Sequence, residues 1–185
     1  MEKVKILTVG AGAVGAYFTG RLAQAGAEVS VVVRSDYDAV KANGFEIISE
    51  LGNFHFQPHG VYRSADEYPD TADYVFLTSK FFPETDEAAM LRGALKNSRT
   101  VLVLIQNGIG IEDQLAEAFP ETEILSSIAY IGATRLKPGV VRQKGASELK
   151  FGRFGGGASE AGRRLEKLFA ETDGVKASFV GNIAW

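Results

Sequence analysis

Three glycines spaced as G-x-G-x-x-G lie between a strand-like apolar run, residues 4–9, and a helix-compatible run, residues 14–24. Glycine has no Cβ, so such a loop can approach a diphosphate closely, and the following helix offers unpaired N–H groups to phosphate oxygens. The strand–loop–helix context predicts a dinucleotide-binding loop, the alternative being a glycine turn of purely structural purpose. The predicted cofactor-binding residues of this loop are Gly10, Ala11, Gly12, Ala13, Val14 and Gly15.

The residue that leaves the second predicted strand indicates which dinucleotide binds. Residues 28–33 form a β-branched, nearly continuous apolar run, and Arg34 and Ser35 follow it. An acid at this point accepts hydrogen bonds from the ribose of NAD, whereas a cation accommodates the 2′-phosphate of NADP. Arg34 therefore favours NADP, unless it is an ordinary exposed arginine. Asp36 could serve NAD in principle, but it is better placed in the first turn of a helix that Ser35 would cap.

Composition excludes several classes of function. The 185 residues carry a net charge of −3, with 45% hydrophobic and 23% charged residues, which is typical of a globular protein. This balance predicts no binding to nucleic acid or to an anionic membrane, and the apolar run 101–105 is too short to span a bilayer. The chain enters its first strand directly after residues 1–3 and contains no cysteine, so we expect a cytoplasmic protein. Pro58 separates the only histidines, His55 and His59, so no metal site is predicted.

The elements that would position the glycine loop alternate between strand and helix. Residues 73–78 and 100–105 read as buried strands, a helix is expected to open at Pro83, and another should occupy residues 110–119. This rhythm predicts an α/β fold with a Rossmann-like, doubly wound parallel sheet.

Two segments depart from this alternation. Residues 44–57 look like an inserted hairpin around a Leu-Gly turn. From residue 123 onward, several short strand-like runs separated by turns suggest an antiparallel extension of the sheet. Ser159 should then cap a helix that runs through residue 169, before a final strand at residues 175–180.

Further short motifs follow the predicted strands in order along the chain. They are Thr78-Ser79-Lys80, Gln106-Asn107-Gly108-Ile109-Gly110, the segment Gly132-Ala133 to Pro138-Gly139-Val140, and Asn182-Ile183. Together with the glycine loop and Arg34, they closely resemble the ketopantoate reductase (2-dehydropantoate 2-reductase) family. In that family NADPH reduces 2-dehydropantoate to pantoate, a step toward pantothenate and coenzyme A. The resemblance therefore implies NADP as cofactor and a small 2-oxo acid as substrate.

The resemblance also implies roles for single residues outside the glycine loop. It assigns Lys80 and Ala133 to the cofactor, and Asn107 to both the cofactor ribose and the substrate. An ammonium beside a phosphorylated cofactor and an anionic substrate is electrostatically reasonable, and an amide can donate to one partner and accept from another. The alternatives are a solvated loop lysine at position 80 and a simple turn at residues 107–108.

The chain departs from the family pattern at its C-terminal end. In the family, the proton-donating lysine lies on a helix that begins near Asn182-Ile183, several residues beyond Trp185, and an all-helical domain follows. We therefore expect residues 1–181 to form the dinucleotide-binding domain and residues 182–185 to begin a helical domain for substrate binding and dimerisation. No catalytic residue is assigned within this chain, which alone should bind NADPH but turn over negligibly.

Two other functions stay open at this point. One is an NADP-dependent reductase of the same fold that acts on another 2-oxo acid. The other is a non-catalytic module that senses the dinucleotide. A lysine and a helical domain beyond residue 185 would favour an enzyme over a sensor.

Overall fold

One ten-stranded sheet runs through the residues that the structure, a computed structural model, describes, namely 2–106 and 110–183. The strands are β1 (Lys5–Val9), β2 (Glu28–Val32), β3 (Phe45–Ser49), β4 (Phe54–Phe56), β5 (Val61–Tyr62), β6 (Tyr74–Leu77), β7 (Val101–Leu104), β8 (Ile124–Lys137), β9 (Val140–Arg153) and β10 (Lys176–Phe179). The helices are α1 (Ala13–Gln24), α2 (Tyr37–Asn43), α3 (Glu87–Leu91), α4 (Ile111–Ala118) and α5 (Glu160–Ala170), with a 3-10 turn at Ala65–Glu67.

The middle of the sheet is parallel and covered on both faces. Strands β8, β7, β6, β1 and β2 lie side by side in that order, and each neighbouring pair is parallel. Along β1, Ile6 packs into a core that contains α1, and Leu7 packs into a second core that contains residues of α3 and α4. Because side chains alternate across a strand, each face of the sheet has its own core. The predicted α/β, doubly wound fold is confirmed.

The antiparallel extension is confirmed, and it is longer than the sequence pattern predicts. Strands β8 and β9 form one hairpin of two 14-residue strands around a turn at Pro138-Gly139. The outer half of β8 is exposed, so it lacks the apolar alternation that normally marks a strand. Register shifts at residues 131–132 and 135–137 interrupt the pairing and disturb the period further.

The sheet curls, so that the inserted hairpin reaches α1. Strand β9 pairs with β3, whose partner β4 ends the sheet, and the β4 residue Phe54 lies 6.4 Å from the Tyr17 ring on α1. A Cβ on Gly20 of α1 would lie 2.6 Å from the Phe56 ring. Both contacts fix α1, and hence the glycine loop before it, against the sheet.

Five helices were predicted, and the starts of α1, α4 and α5 agree with the structure to within one residue. Ser159 caps α5 by accepting a hydrogen bond from the Gly162 N–H at 2.8 Å. By contrast, α2 begins after Asp36 without a side-chain cap, because the Ser35 hydroxyl donates to the Asp36 carboxylate instead. Helix α3 begins at Glu87 rather than at Pro83, with Asp86 as its cap. No helix among the described residues is long and apolar enough to cross a bilayer.

Candidate functional site

The glycine loop lies between the carboxyl end of β1 and the N-terminus of α1. Gly10 has a φ of +75°, which favours glycine, and its N–H donates to the carbonyl of Val32 at 3.1 Å. A Cβ on Gly10 would lie 2.4 Å from the Cβ of Ser79, so the loop after β6 closes against this position. Gly10 is therefore required both by its backbone angle and by this close approach.

Gly12 and Gly15 face different surroundings. A Cβ on Gly15 would lie 2.2 Å from the hydroxyl oxygen of Thr78, so α1 could not pack as closely with any larger residue there. A Cβ on Gly12 would meet no atom of the described residues within 4 Å, although Gly12 is the N-cap of α1 and none of their side chains caps that helix. The exposed N-terminus of α1 above Gly12 is thus open to an anion.

A cavity of about 280 Å³ opens beside Gly12, and it is called the large cavity below to distinguish it from a smaller one near the start of α1. Among the residues predicted to bind the cofactor, it is lined by Gly10, Ala11, Gly12, Arg34 and Lys80. Arg34 and Lys80 come from the loops after β2 and β6, which reach the same edge because the carboxyl ends of parallel strands meet there. Both side chains are exposed, and neither makes an ion pair with another described residue.

Sequence reasoning missed several residues that line this cavity. Arg135 reaches it from β8, and Phe82, Thr85 and Met90 line it from the segment around α3. The Phe82 ring is 56% exposed and offers an apolar surface to a flat ligand. The side of β8 that Arg135 occupies depends on the register shifts, so no signal in the sequence identified it.

Asp36 also lines the large cavity, but its carboxylate is fully occupied. The Arg135 guanidinium donates to both carboxylate oxygens at 2.7–3.0 Å, and the N–H of Gly139 donates at 3.1 Å. The hydrogen bonds from Arg135, the largest cause, hold the pKa of Asp36 below its ordinary value, although burial opposes them. Asp36 is therefore ionised and paired at neutral pH.

A second, smaller cavity of about 120 Å³ lies beside the start of α1, and it was not predicted. Its lining is mainly apolar, from Val14, Ile105, Ala129 and Ile131, with Ser127 and Gln106 adding polar atoms. The side-chain oxygens of Ser127 and Gln106 are buried and make no hydrogen bond to any residue that the structure describes. Since buried polar groups are nearly always paired, these oxygens are suited to a ligand with polar edges.

Gln106 is held in place by its amide nitrogen. This nitrogen donates to the carbonyl of Ser79 at 2.6 Å and to the carboxylate of Glu87 at 3.1 Å. Burial raises the pKa of Glu87, and the hydrogen bond from Gln106 partly offsets that effect. The network connects the loop after β6, the first turn of α3 and the end of β7.

The remaining predicted site residues are not brought together by the described structure. Asn107, predicted to bind both cofactor and substrate, lies outside the described residues. Ala133 is half-buried on β8 but lines neither cavity, and Ala13 and Gly15 do not line them either. Their roles in binding stay predictions. No group of three or more His, Cys, Asp or Glu residues within the described ranges could hold a metal ion.

Comparisons with known proteins agree with this geometry. The family model for ketopantoate reductase PanE/ApbA matches residues 6–156. The 2-dehydropantoate 2-reductase of a Nostoc species is 28% identical over 162 residues, which cover 88% of this chain and 50% of that protein. An uncharacterised oxidoreductase, YkpB of Bacillus subtilis, is 32% identical over 96% of this chain and 57% of its own.

Solved structures show the same relationship. The crystal structure of 2-dehydropantoate 2-reductase from Methylococcus capsulatus superposes with a TM-score of 0.88 at 40% identity, covering 97% of this chain and 57% of that one. A ternary structure of D-mandelate dehydrogenase with NADH and anilino(oxo)acetate gives a TM-score of 0.79 at 26% identity, covering 97% and 58%. The chain thus spans about half the length of the relatives it matches. By the match of its glycine loop, strands and hairpin to the family model, the chain belongs to the ketopantoate reductase family of oxidoreductases.

Proposed function

We propose that this chain is the NADP-binding domain of a reductase that converts 2-dehydropantoate to pantoate. The observation that carries the proposal is the convergence of Arg34 and Lys80 on the cavity beside the open face of Gly12. In this proposal residues 1–181 form the dinucleotide-binding domain and residues 182–185 begin a helical domain. That domain would complete the substrate site and form the contacts of a homodimer in the cytoplasm.

The diphosphate of the cofactor would lie at the N-terminus of α1. Within the described ranges of the chain, no protein atom lies within 4 Å of the position of a Gly12 Cβ, and no side chain caps the first turn of α1. The unpaired N–H groups and the positive end of the helix dipole favour two phosphates at this point. The Lys80 ammonium lies at the rim of the same cavity and would add a point charge.

Arg34 would bind the 2′-phosphate. It occupies the position after β2 that distinguishes the two dinucleotides, and its side chain is exposed at the cavity. A guanidinium presents a planar fork of donors that matches phosphate, which supports NADP over NAD. The exposed Phe82 ring, which lines the same cavity, would offer a stacking surface for the adenine.

The smaller cavity would receive the nicotinamide. It is apolar on most sides, as a flat heteroaromatic ring requires, and the unpaired oxygens of Ser127 and Gln106 could accept hydrogen bonds from a carboxamide. Asn107 follows directly and, by family resemblance, would contact both the cofactor ribose and the 2-oxo acid. Val14 lines this cavity and belongs to the glycine loop, whose Gly10 to Gly12 line the other cavity, so in this proposal the two cavities would hold the two ends of one cofactor.

The cofactor supplies a hydride when it is bound. The residues of this chain would bind and orient it, and would exclude water from one wall of the reaction site. The proton that neutralises the product alkoxide would come from the lysine expected beyond Trp185. Lys80 is not assigned that task, because it lies in the large cavity rather than beside Ser127 and Gln106.

The test is NADPH oxidation with 2-dehydropantoate, followed by absorbance, for this chain and for a longer protein that includes a helical domain. We expect the 185-residue chain to bind NADPH without detectable turnover, and the longer protein to form pantoate. Rapid pantoate formation by the 185-residue chain would contradict the placement of the proton donor. A longer protein that binds NADPH but reduces no 2-oxo acid would favour the sensor.

A second candidate is a reductase of a different 2-oxo acid. The similarity to D-mandelate dehydrogenase, solved with NADH and anilino(oxo)acetate, shows that this fold also occurs in an enzyme outside the pantoate reaction. A panel of 2-oxo acids in the same assay separates the two candidates. A preference of tenfold or more for another acid would favour the second.

A further inference from the structure

Arg135 and Asp36 join two distant parts of the chain at the rim of the large cavity. The Nε and Nη2 atoms of Arg135 donate to the Asp36 carboxylate at 2.7–3.0 Å, and the Gly139 N–H donates to it at 3.1 Å. The Asp36 side chain is 11% exposed and that of Arg135 is 45% exposed. The turn of the β8–β9 hairpin is thereby attached to the loop after β2, where the cofactor is selected.

Without Arg135, this loop would present a free carboxylate. Asp36 lies two residues after Arg34 and lines the same cavity. A carboxylate near the end of the second strand is the feature that binds the ribose hydroxyls of NAD, and it repels a 2′-phosphate. In the structure its oxygens already accept hydrogen bonds from Arg135 and from the Gly139 N–H, so little capacity is left for a ribose.

The pair also changes the charge of the cavity. Arg34, Lys80 and Arg135 oppose the single carboxylate of Asp36, which leaves an excess of two positive charges. Arg135 uses Nε and Nη2 to hold Asp36, so the N–H groups of Nη1 stay available to an anion. Removing Arg135 would both lower the positive charge and release an ionised carboxylate beside it.

We propose that Arg135 is a specificity-determining residue, which selects NADPH over NADH by keeping the Asp36 carboxylate paired and away from the cofactor ribose. The proposal rests on the proposed use of NADP. The role proposed for Arg135 differs from that of Arg34, because Arg135 acts chiefly through Asp36 and only secondarily through its own charge.

The test is isothermal titration of NADPH and NADH into the wild-type chain, Arg135→Gln, Asp36→Asn and the double variant. We expect Arg135→Gln to lower the ratio of NADPH to NADH affinity by about tenfold or more. Asp36→Asn should keep the wild-type ratio or raise it. The double variant should recover most of the loss, because no carboxylate is then left unpaired.

A matched control is Arg164→Gln. Arg164 also pairs with an aspartate, Asp73, at 3.8 Å, but on α5 and outside both cavities, so its loss should not change the ratio. A merely structural role of Arg135 would weaken both cofactors equally. Thermal unfolding of each variant shows whether a changed affinity ratio comes from loss of the folded state or from loss of the preference for NADPH. Should Arg135→Gln not fold, Arg135→Lys, which keeps the charge but lacks the planar fork, should still lower the ratio.

These experiments distinguish failure of the proposed preference for NADP from failure of the proposed role of Arg135. If the wild-type chain binds both dinucleotides equally, the proposed cofactor is wrong, whatever Arg135 does. If the wild type prefers NADPH and the ratio is unchanged in Arg135→Gln or Arg135→Lys, the cofactor assignment stands and the role of Arg135 is overturned. A double variant that is as impaired as Arg135→Gln would overturn the action through Asp36.

Discussion

At the residue scale, the glycines of the loop differ in what requires them: Gly10 and Gly15 are required by close packing within the fold, whereas Gly12 is open toward a ligand. A Cβ on Gly10 would clash with Ser79, and one on Gly15 would clash with Thr78. A Cβ on Gly12 would have no neighbour within 4 Å among the described residues. A binding role and a structural role can therefore be separated by substituting the same residue type at neighbouring positions.

Gly12→Ala should abolish dinucleotide binding while leaving the fold intact. The added methyl group meets no atom in the described part of the chain, and the φ of −88° is ordinary for alanine, so the free energy of unfolding should change by less than about 0.5 kcal/mol. The same methyl group would occupy the space of the diphosphate. Fluorescence titration with NADPH and urea unfolding measure the two effects.

Gly15→Ala is the contrasting variant for this prediction. Its Cβ would lie 2.2 Å from the Thr78 hydroxyl oxygen, so we expect a loss of stability of about 1–3 kcal/mol from overpacking. Normal binding of NADPH by a well-folded Gly12→Ala protein would show that the diphosphate does not lie at this loop.

The site residues that could not be predicted from the sequence were missed for one physical reason. Arg34 and Lys80 are recognisable because each follows a buried strand, so their position at the edge of the sheet follows from the chain order. Arg135 and Ser127 lie within one long strand, and the face that each occupies depends on its register and its irregularities. The carboxylate that Arg135 pairs with, that of Asp36, lies about a hundred positions away in the sequence, and no local pattern encodes such a pairing.

At the scale of elements, β1, α1 and β2 were predictable because apolar runs and glycines mark their limits. Helix α3 was not, because its five residues are too few to show a helical period, and Pro83 opens only a turn before it. This helix is short and places a carboxylate, Glu87, in contact with the amide of Gln106.

Glu87→Gln should stabilise the protein near neutral pH. Burial raises the pKa of Glu87 in the folded state, so folding favours the protonated carboxyl. The associated stability is therefore present below the unfolded pKa and is lost as pH rises through the folded pKa. A glutamine removes the buried charge, and we expect a gain of about 1 kcal/mol in the free energy of unfolding at pH 7, which shrinks toward pH 4.

Glu112→Gln is the control for this prediction. Glu112 is also buried in the first turn of a helix, but it accepts a hydrogen bond from the Ser126 hydroxyl at 3.3 Å. No gain is expected there, because the second carboxylate oxygen of Glu87 is buried without a partner among the described residues, whereas neither oxygen of Glu112 is. Urea unfolding at the two pH values would refute the account if Glu87→Gln were no more stable than the wild type at neutral pH.

At the scale of the whole molecule, the curled sheet brings the hairpin β8–β9 over both ends of the candidate site. Ser127, Ala129 and Ile131 line the smaller cavity, and Arg135 lines the larger one. The doubly wound centre was predictable from the alternation of elements. The curl was not, because it arises from the pairing of β3 with β9, strands about a hundred residues apart.

We propose that Arg34 makes this chain prefer NADPH to NADH, and calorimetric titration of both dinucleotides into the wild type and Arg34→Ala is the decisive experiment. We expect the wild type to bind NADPH at least about tenfold more tightly than NADH, and Arg34→Ala to lose this preference while its affinity for NADH is unchanged. Equal affinities in the wild type, a preference for NADH, or a preference for NADPH that survives in Arg34→Ala would contradict it.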